Sequence, residues 1–289
     1  MHKKILILGS KGMLGQELVR VFVDGGHEVT GWDFGDIDVT DRDVAREKIF
    51  ALRPDVIINA VGYNAVDLCE SDASESAKAW RINAEVPGEL SKVAKELGAI
   101  FVHYSTDYVF DGGQQGDGYE EDAEPNPVSK YGESKLGGER STAAVGGTYY
   151  VIRLAKLFGV PAISAGGKQS FFAKMEEIAR EKGVVSAVDD ENGCFTYAPD
   201  LASATLSLVL DSAPSGVYHL VNEGAATWYG ALRSYFGIVG VEAEVNPVSG
   251  DVFPRPARRP KDSTLRNTKR PKLRSLQDAL GAFAESRRS

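Results

Sequence analysis

Lys4-Ile-Leu-Ile-Leu8 runs straight into Gly9-Ser-Lys-Gly12-Met-Leu-Gly15, and the reading of this stretch decides the fold. The first five residues read as a buried strand. From Gly12 to Val23 the apolar residues Leu14, Leu18, Val21 and Phe22 recur at helical spacing. Between them lies a G-x-x-G-x-x-G turn, one residue longer in its first gap than G-x-G-x-x-G. Small residues let the backbone approach a pyrophosphate, and the helix start supplies N–H donors and the positive end of its dipole. Spacing alone says little. Its place between the first strand and the first helix of an alternating chain gives it weight.

The alternation continues outward. Glu28–Trp32, Asp55–Asn59, Ala99–Tyr104 and Tyr150–Leu154 read as further strands. Val44–Leu52, Ser74–Leu97 (with a break near Pro87) and Tyr131–Arg140 read as helices. The apolar centre of Asp55–Asn59 is uninterrupted, as in a sheet covered on both faces. Strands alternating with helices imply parallel pairing through right-handed crossovers. After Phe158 the rhythm weakens. Gly159–Gly167 reads as a loop, Phe171–Lys182, Leu201–Leu210 and Thr227–Phe236 as helices, and Val217–Val221 as a strand. Asn246–Lys272 holds five prolines and reads as extended or looped, before a closing helix at Leu276–Ala284. The expected fold is α/β: a doubly wound parallel sheet with a smaller C-terminal α/β substrate lobe. Residues 1–158 would bind the dinucleotide, with the chain returning to that unit around 189–222. The rest of 159–289 would form a discontinuous lobe, and ligands would lie in the cleft at the switch of strand order.

Composition excludes several classes. The 289 residues are 43% hydrophobic and 26% charged, which is ordinary for a globular protein. No apolar run nears the roughly 18 residues of a membrane span. The short apolar start lacks the layout of a cleavable signal, so a cytoplasmic protein with no membrane role is expected. Two cysteines, Cys69 and Cys194, and four scattered histidines give neither a disulfide framework nor a metal set. The net charge of −8 is uneven: Asp251 to the end carries eleven Lys/Arg against four Asp/Glu, +7, leaving −15 on the remainder. An acidic body argues against nucleic acid, and a basic tail suits a solvated surface or an anionic ligand. The run Glu120-Glu-Asp-Ala-Glu124 reads as a solvated acidic loop.

Asp33 follows the second strand, where a carboxylate can meet the ribose hydroxyls of a dinucleotide. Phe34 after it is not the arginine that would favour a 2′-phosphate, although Lys11 in the loop could receive one. NADH is therefore favoured and NADPH kept open. Asp38 and Val39 are placed at the border of the adenine. Tyr131 and Lys135, four apart, share one helix face. The lysine charge favours phenolate and would lower the tyrosine pKa. Such a tyrosine can hand a proton to a carbonyl oxygen as hydride reaches the carbon. Ser105 and Thr106 end the fourth strand at the ligand-binding edge, where a hydroxyl can bond the same oxygen.

This set resembles the extended short-chain dehydrogenase/reductases with their Rossmann sheet, and most of all the dTDP-4-dehydrorhamnose reductase family. Gly9–Gly15 resembles the cofactor loop, Met13 and Leu14 included. Asn59-Ala-Val-Gly-Tyr-Asn-Ala-Val-Asp67 resembles a segment in which Asn59, Ala60, Val61 and Gly62 pass the cofactor and Val66 and Asp67 border the sugar. Ser105-Thr-Asp-Tyr-Val-Phe-Asp-Gly112 and Tyr131-Gly-Glu-Ser-Lys135 are the most specific matches. Gly216–Gly224, Thr227-Trp-Tyr229 and Arg258-Arg-Pro-x-x-Ser-x-Leu265 extend the likeness to the C-terminal part. The resemblance implies that Thr106 binds the keto oxygen, Tyr131 protonates it, and Lys135 also holds the nicotinamide ribose. Asp107 and Tyr108 would line the sugar pocket, and Arg259 would lie near a diphosphate. The implied substrate is a nucleotide sugar, a 6-deoxy-4-keto-hexose, and a homodimer through the helices flanking the sheet stays open.

The sequence departs from the family pattern on the substrate side. Lys156 stands where the family carries a pocket tryptophan, Glu191 where it has an amide, and Phe195 where it has proline. Two rivals follow. A non-catalytic regulatory subunit, like that of methionine adenosyltransferase, resembles the same branch and would bind NADP without turnover. An epimerase on a different nucleotide sugar would retain its nicotinamide and need no added reductant.

Overall fold

The computed structural model describes residues 2–113, 116–163 and 169–288. In chain order its first half runs β1 (Lys4–Leu8), α1 (Met13–Asp24), β2 (Glu28–Trp32), α2 (Arg42–Leu52), β3 (Val56–Asn59), α3 (Val66–Ser71), α4 (Ala73–Trp80), α5 (Val86–Leu97), β4 (Ile100–Thr106), α6 (Lys130–Val145) and β5 (Tyr149–Leu154). The second half runs β6 (Leu157–Phe158), α7 (Phe171–Lys182), β7 (Val184–Val188), β8 (Asn192–Cys194), β9 (Thr196–Tyr197), α8 (Ala198–Leu210), β10 (Gly216–His219), β11 (Ala225–Thr227), α9 (Trp228–Val239), β12 (Glu244–Val248) and α10 (Leu276–Ser286).

Six parallel strands make the central sheet, in the order β10-β5-β4-β3-β1-β2. From β1 the chain moves one way to β2, then returns past β1 and builds outward through β3, β4 and β5. The strand order therefore reverses between β1 and β3, the crevice where ligands bind in such sheets. Alternate side chains of the apolar strands feed two layers. Ile5, Ile7, Val56 and Ile58 pack under α1 and α8, while Leu6, Leu8 and Ile57 pack under α2 and α5. A second core gathers Phe172, Phe195, Tyr235 and Phe283 from α7, α9, α10 and the segment after β8.

The long helix expected over Ser74–Leu97 is three pieces. A π-helical turn at Arg81–Glu85 separates α4 from α5, so the break precedes Pro87, which sits in the first turn of α5 where proline costs no hydrogen bond. Asn83, in that turn, is fully buried and points inward. The short helix α3 and the β7–β12 pair carry too little periodicity to stand out in sequence. Part of the Gly159–Gly167 loop, from Ser164 on, lies outside the described residues. The acidic run is not simply solvated: Glu121 is buried, accepting from the backbone and hydroxyl of Thr268 and from the His219 backbone N–H. Both cysteines are buried and free.

The basic tail is matched to the acidic body. Among the described residues, eight of its cations each meet a carboxylate from upstream: Arg255–Glu191, Arg259–Asp67, Lys261–Asp190, Arg266–Glu120, Arg270–Asp211, Lys272–Glu223, Arg274–Asp200 and Arg287–Glu176. Most are too exposed to contribute much singly. Together they set the register of a segment with little regular structure.

Gly15 shows how tightly the first turn is closed. A Cβ there would lie 2.0 Å from the Gly9 carbonyl oxygen. Gly15→Ala should lower stability by about 3 kcal/mol or more, a fall on the order of 10 °C in Tm. Gly237→Ala, in an exposed stretch of α9 with no atom near, should instead gain roughly 0.5–1 kcal/mol. Equal melting points for the two variants would refute this account of the turn.

Candidate active site

The carboxyl edge of β4 and the first turns of α6 build the centre of the site. Thr106 ends β4 and caps the short 3-10 turn Asp107–Val109: its Oγ1 accepts from Tyr108 N–H at 3.2 Å and donates to Asp107 Oδ1 at 2.9 Å. Ser263, from the C-terminal segment, donates to Asp107 Oδ2 at 2.5 Å. Ser129 caps α6 through the Gly132 N–H and so places Tyr131 at the helix start.

Tyr131 is buried with Cys69 and Ala79, and Val66, Tyr63 and Tyr108 pack on the same cluster. The Tyr108 and Tyr131 rings meet edge to face at 5.8 Å. Burial, then the Asp107 charge, push the Tyr131 phenol above its ordinary range, and the Thr106 hydroxyl pulls the other way. Lys135, one turn on, donates from Nζ to the Tyr104 carbonyl at 2.5 Å. Burial lowers its pKa to about 8 against the opposing charge of Glu139. The expectation that Lys135 depresses the tyrosine is corrected here. The ammonium is bonded to the Tyr104 carbonyl of β4, and burial pushes the phenol up.

Ser105 is also corrected. Its side chain leaves the opposite face of β4 from that of Thr106 and donates to Glu139 Oε1 at 2.5 Å. Glu139 in turn holds Arg153 of β5 by two hydrogen bonds, 2.9 and 2.7 Å, with both side chains almost wholly buried. Ser105 thus anchors α6 and has no hydroxyl left for a carbonyl substrate. Asn83, not foreseen, ties the same helix to the loop after β3. It accepts from Tyr63 N–H at 2.8 Å and donates to the Tyr63 carbonyl and the Ser134 hydroxyl, each at 3.0 Å. Sequence offered no sign of it beyond a lone amide in a helical pattern.

On the dinucleotide side, Gly9 adopts a left-handed φ of 77° and comes against the backbone of Ala60 and Val61. Asp33 accepts from Lys11 N–H and Phe34 N–H, both at 2.9 Å, which fixes its carboxylate beside the glycine turn. Gly62 lies near Asn83 and the Lys135 ammonium. Gly12, Met13 and Gly15 open α1 at the cradle. Several side chains placed at the cofactor face elsewhere. Leu14 and Val39 are buried in the two sheet layers, and Asn59 is spent on Val61 N–H and His103. The Asp38 carboxylate caps Thr40. These residues line the cradle by backbone or not at all. Closely approaching glycine backbone at the switch of strand order, beside a fixed carboxylate, fits a dinucleotide.

On the substrate side, Val66 and Asp67 open α3, and Arg259 forks onto Asp67 with both bonds at 2.6 Å. Arg259 is therefore part of a strap from the tail to α3. Lys156, in a left-handed conformation with φ of 41°, turns inward. Its ammonium donates to the carbonyls of Glu191 and Ala226 at 3.2 Å and lies over the rings of Phe195 and Trp228 at 4.8 and 5.2 Å. Burial lowers its pKa to about 8. Glu191 is answered by Arg255 at 2.5 Å. The missed Ser263 is the serine of the Arg-Arg-Pro-x-x-Ser motif, so the signal was in hand without its role. Among the described residues no group of His, Cys, Asp and Glu could hold a metal ion, and no helix is long and apolar enough to cross a membrane.

A glycine cradle after β1, a Tyr-x-x-x-Lys helix and a strand-end threonine beside it define an extended short-chain dehydrogenase/reductase fold. The family model described as "RmlD substrate binding domain" matches residues 3–284. The dTDP-4-dehydrorhamnose reductase of Mycolicibacterium smegmatis is 34% identical, over 98% of this chain and 86% of that protein. The structure of a dTDP-4-dehydrorhamnose reductase from Clostridium acetobutylicum aligns with a TM-score of 0.91 at 32% identity, covering 99% of this chain and 100% of that one. A Bacillus anthracis dTDP-4-dehydrorhamnose reductase in complex with NADP aligns with a TM-score of 0.91 at 28% identity, with 99% and 100% covered. The chain belongs to the RmlD substrate-binding-domain family.

Loss of the buried Glu139–Arg153 pair should be felt throughout the site. Arg153→Met leaves an uncompensated buried carboxylate and should cost about 3–5 kcal/mol in urea unfolding. The double variant Arg153→Met/Glu139→Met should recover part of that. A single-variant loss below about 1 kcal/mol would show that the pair is no anchor.

Proposed function

We propose that the chain reduces the C4 ketone of a nucleotide-linked 6-deoxy-4-keto-hexose with NADH or NADPH, and that dTDP-4-dehydro-L-rhamnose is its substrate. One observation carries this reading. Thr106 closes β4 at the carboxyl edge of the sheet, and Tyr131, packed edge to face on Tyr108 of the turn that Thr106 caps, stands one helical turn from the buried Lys135 ammonium. Relatives bearing that activity, 34–36% identical over at least 90% of the chain, support the substrate.

Gly9, Gly12 and Gly15 would cradle the dinucleotide pyrophosphate, and Asp33 would take the adenosine ribose. When bound, the reduced nicotinamide supplies the hydride. Tyr131 stays protonated at neutral pH because burial disfavours its phenolate. It therefore holds a proton ready for the oxygen that gains charge as the ketone is reduced. Thr106 orients that oxygen from the strand side. Lys135, anchored on Tyr104, sets a positive charge beneath. Val66 and Tyr108 give the sugar an apolar flank, and the Arg259–Asp67 strap closes the nucleotide end. The sheet would hold the dinucleotide and the second core the sugar side, with the division near residue 158 and the return near 189–222. The enzyme would work in the cytoplasm, alone or as a homodimer.

The complete Thr106, Tyr131 and Lys135 set favours this over a regulatory subunit. The test is consumption of reduced cofactor with fresh dTDP-4-dehydro-L-rhamnose. Tyr131→Phe should lower kcat by about 10²–10⁴-fold and leave cofactor affinity unchanged. Parental turnover in that variant would remove Tyr131 as the acid, and turnover without added reductant would point to an epimerase. Asp33→Asn removes the carboxylate beside the ribose. It should improve NADPH relative to NADH by about tenfold, near 1.4 kcal/mol. An unchanged ratio would free Asp33 of that role.

A further inference from the structure

A hydroxyl has one proton, and the structure shows where that of Thr106 goes. Thr106 Oγ1 donates to Asp107 Oδ1 at 2.9 Å and accepts from Tyr108 N–H. The other carboxylate oxygen takes the Ser263 hydroxyl at 2.5 Å. Asp107 is 2% exposed, and Thr106 and Ser263 are buried with it. With Asp107 ionised, both hydroxyls point into the carboxylate and Thr106 has no proton to offer a ketone.

We infer that Asp107 is a positioning residue that sets the direction of the Thr106 hydroxyl, and that the reducing form of the site carries a proton on Asp107. With that proton on Oδ1, the bond reverses: Asp107 donates to Thr106 Oγ1, and Thr106 donates to the substrate oxygen. Beyond the protonation of Asp107, only O–H rotors turn. Ser263 holds Oδ2 in both states, so the proton is confined to the oxygen facing Thr106. This deepens the reductase reading and rests on it.

Lys156 sets the balance between the two forms. The groups facing Asp107 are Lys156 from the turn after β5, Tyr131 from α6, Tyr108 on its own turn and Cys194 from β8. Burial raises the Asp107 pKa, while the Ser263 hydroxyl and the Lys156 ammonium oppose it. Lys156 makes no ion pair with Asp107 within 4.0 Å among the described residues. It is held back by two carbonyls and two rings. Lys156 Nζ and Ser263 Oγ both border Gly193, where a Cβ would lie 3.4 and 3.0 Å from them. The ammonium thus acts on Asp107 through space and leaves both carboxylate oxygens to hydroxyls.

The experiment is the pH dependence of kcat/KM for dTDP-4-dehydro-L-rhamnose reduction in wild type, Asp107→Asn and Lys156→Met. Alongside it, the Asp107 carboxyl ¹³C resonance of labelled protein is titrated and assigned by its loss in Asp107→Asn. Wild type should lose rate as pH rises, about tenfold per unit beyond the midpoint of a single ionisation. An amide in place of the carboxyl group can donate to Thr106 at every pH, so Asp107→Asn should retain measurable turnover and lose that limb. Lys156→Met removes the opposing charge. Its limb and its ¹³C transition should both move to higher pH, with about threefold or more of the relative rate on the falling limb. A limb persisting in Asp107→Asn overturns the inference, as does an inactive but folded, cofactor-binding Asp107→Asn. Should Asp107→Asn not fold, Lys156→Met decides: an unmoved or lowered limb overturns it. Wild type that binds cofactor but reduces no keto-sugar overturns the reductase reading instead. A ¹³C transition in the ordinary carboxylate range overturns the Asp107 inference whether or not there is turnover.

Discussion

The buried contact between Glu139 and Arg153 is the constraint on which the active-site geometry depends. A carboxylate and a guanidinium taken out of water are tolerable only when every remaining lone pair and proton is used. Here Glu139 takes two bonds from Arg153 and one from Ser105. Arg153 lies over the Phe110 ring and reaches the Glu121 carbonyl and His219. That one pair joins α6 to β4 and β5, and reaches the loop before α6. The angle at which α6 meets the sheet then places Tyr131 and Lys135. Asn83 fixes the other side of the same helix against the loop after β3. A helix held at two faces by buried polar groups has little freedom to slide.

The charge asymmetry of the sequence has a structural answer. A tail of proline-rich extended chain buries little apolar surface and pairs few backbone groups, so it needs another source of register. Eight of its cations find a carboxylate of the body, and the two least exposed arginines near the site, Arg255 and Arg259, reach Glu191 and Asp67. The tail also delivers Ser263 to Asp107 and Thr268 to Glu121. Its basic character therefore serves the chain's own acidic surface. A segment of local charge +7 is in this way largely paired within the molecule.

The central sheet was legible because its strands obey simple patterns. Continuous apolar runs such as Lys4–Leu8 mean burial on both faces, and glycines at a strand–helix junction mean close backbone approach. The positions of Thr106, Tyr131 and Lys135 were legible for a similar reason: helical spacing puts Tyr131 and Lys135 on one face of α6, and Thr106 closes β4. What sequence hid was direction. Ser105 and Thr106 are neighbours, yet the pleat sends their side chains to opposite faces. Lys135 and Tyr131 share a face, yet the ammonium is drawn to a carbonyl of β4. Leu14, Val39 and Asn59 lie at the cradle by position and leave it by side chain. The π-helical turn around Asn83 was hidden too, because one extra residue in a turn leaves the apolar spacing of Ser74–Leu97 nearly intact.

The three substrate-side departures from the family pattern looked independent in sequence and are one arrangement in space. Lys156 replaces a tryptophan, but its charge does not enter an apolar wall unsupported. The Glu191 carbonyl accepts from it, the Phe195 ring lies beneath it, and the carboxylate of Glu191 is neutralised by Arg255. Trp228, on α9, closes the cage and returns an indole to this region from a different element. A lone lysine placed there would have to be desolvated against nothing, at a cost of several kcal/mol. With two carbonyls and two aromatic faces the ammonium is satisfied and immobile. Such a cation cannot swing out to meet a substrate anion without abandoning all four partners. Its influence is therefore electrostatic and falls first on buried Asp107, which is hydrogen-bonded to Thr106.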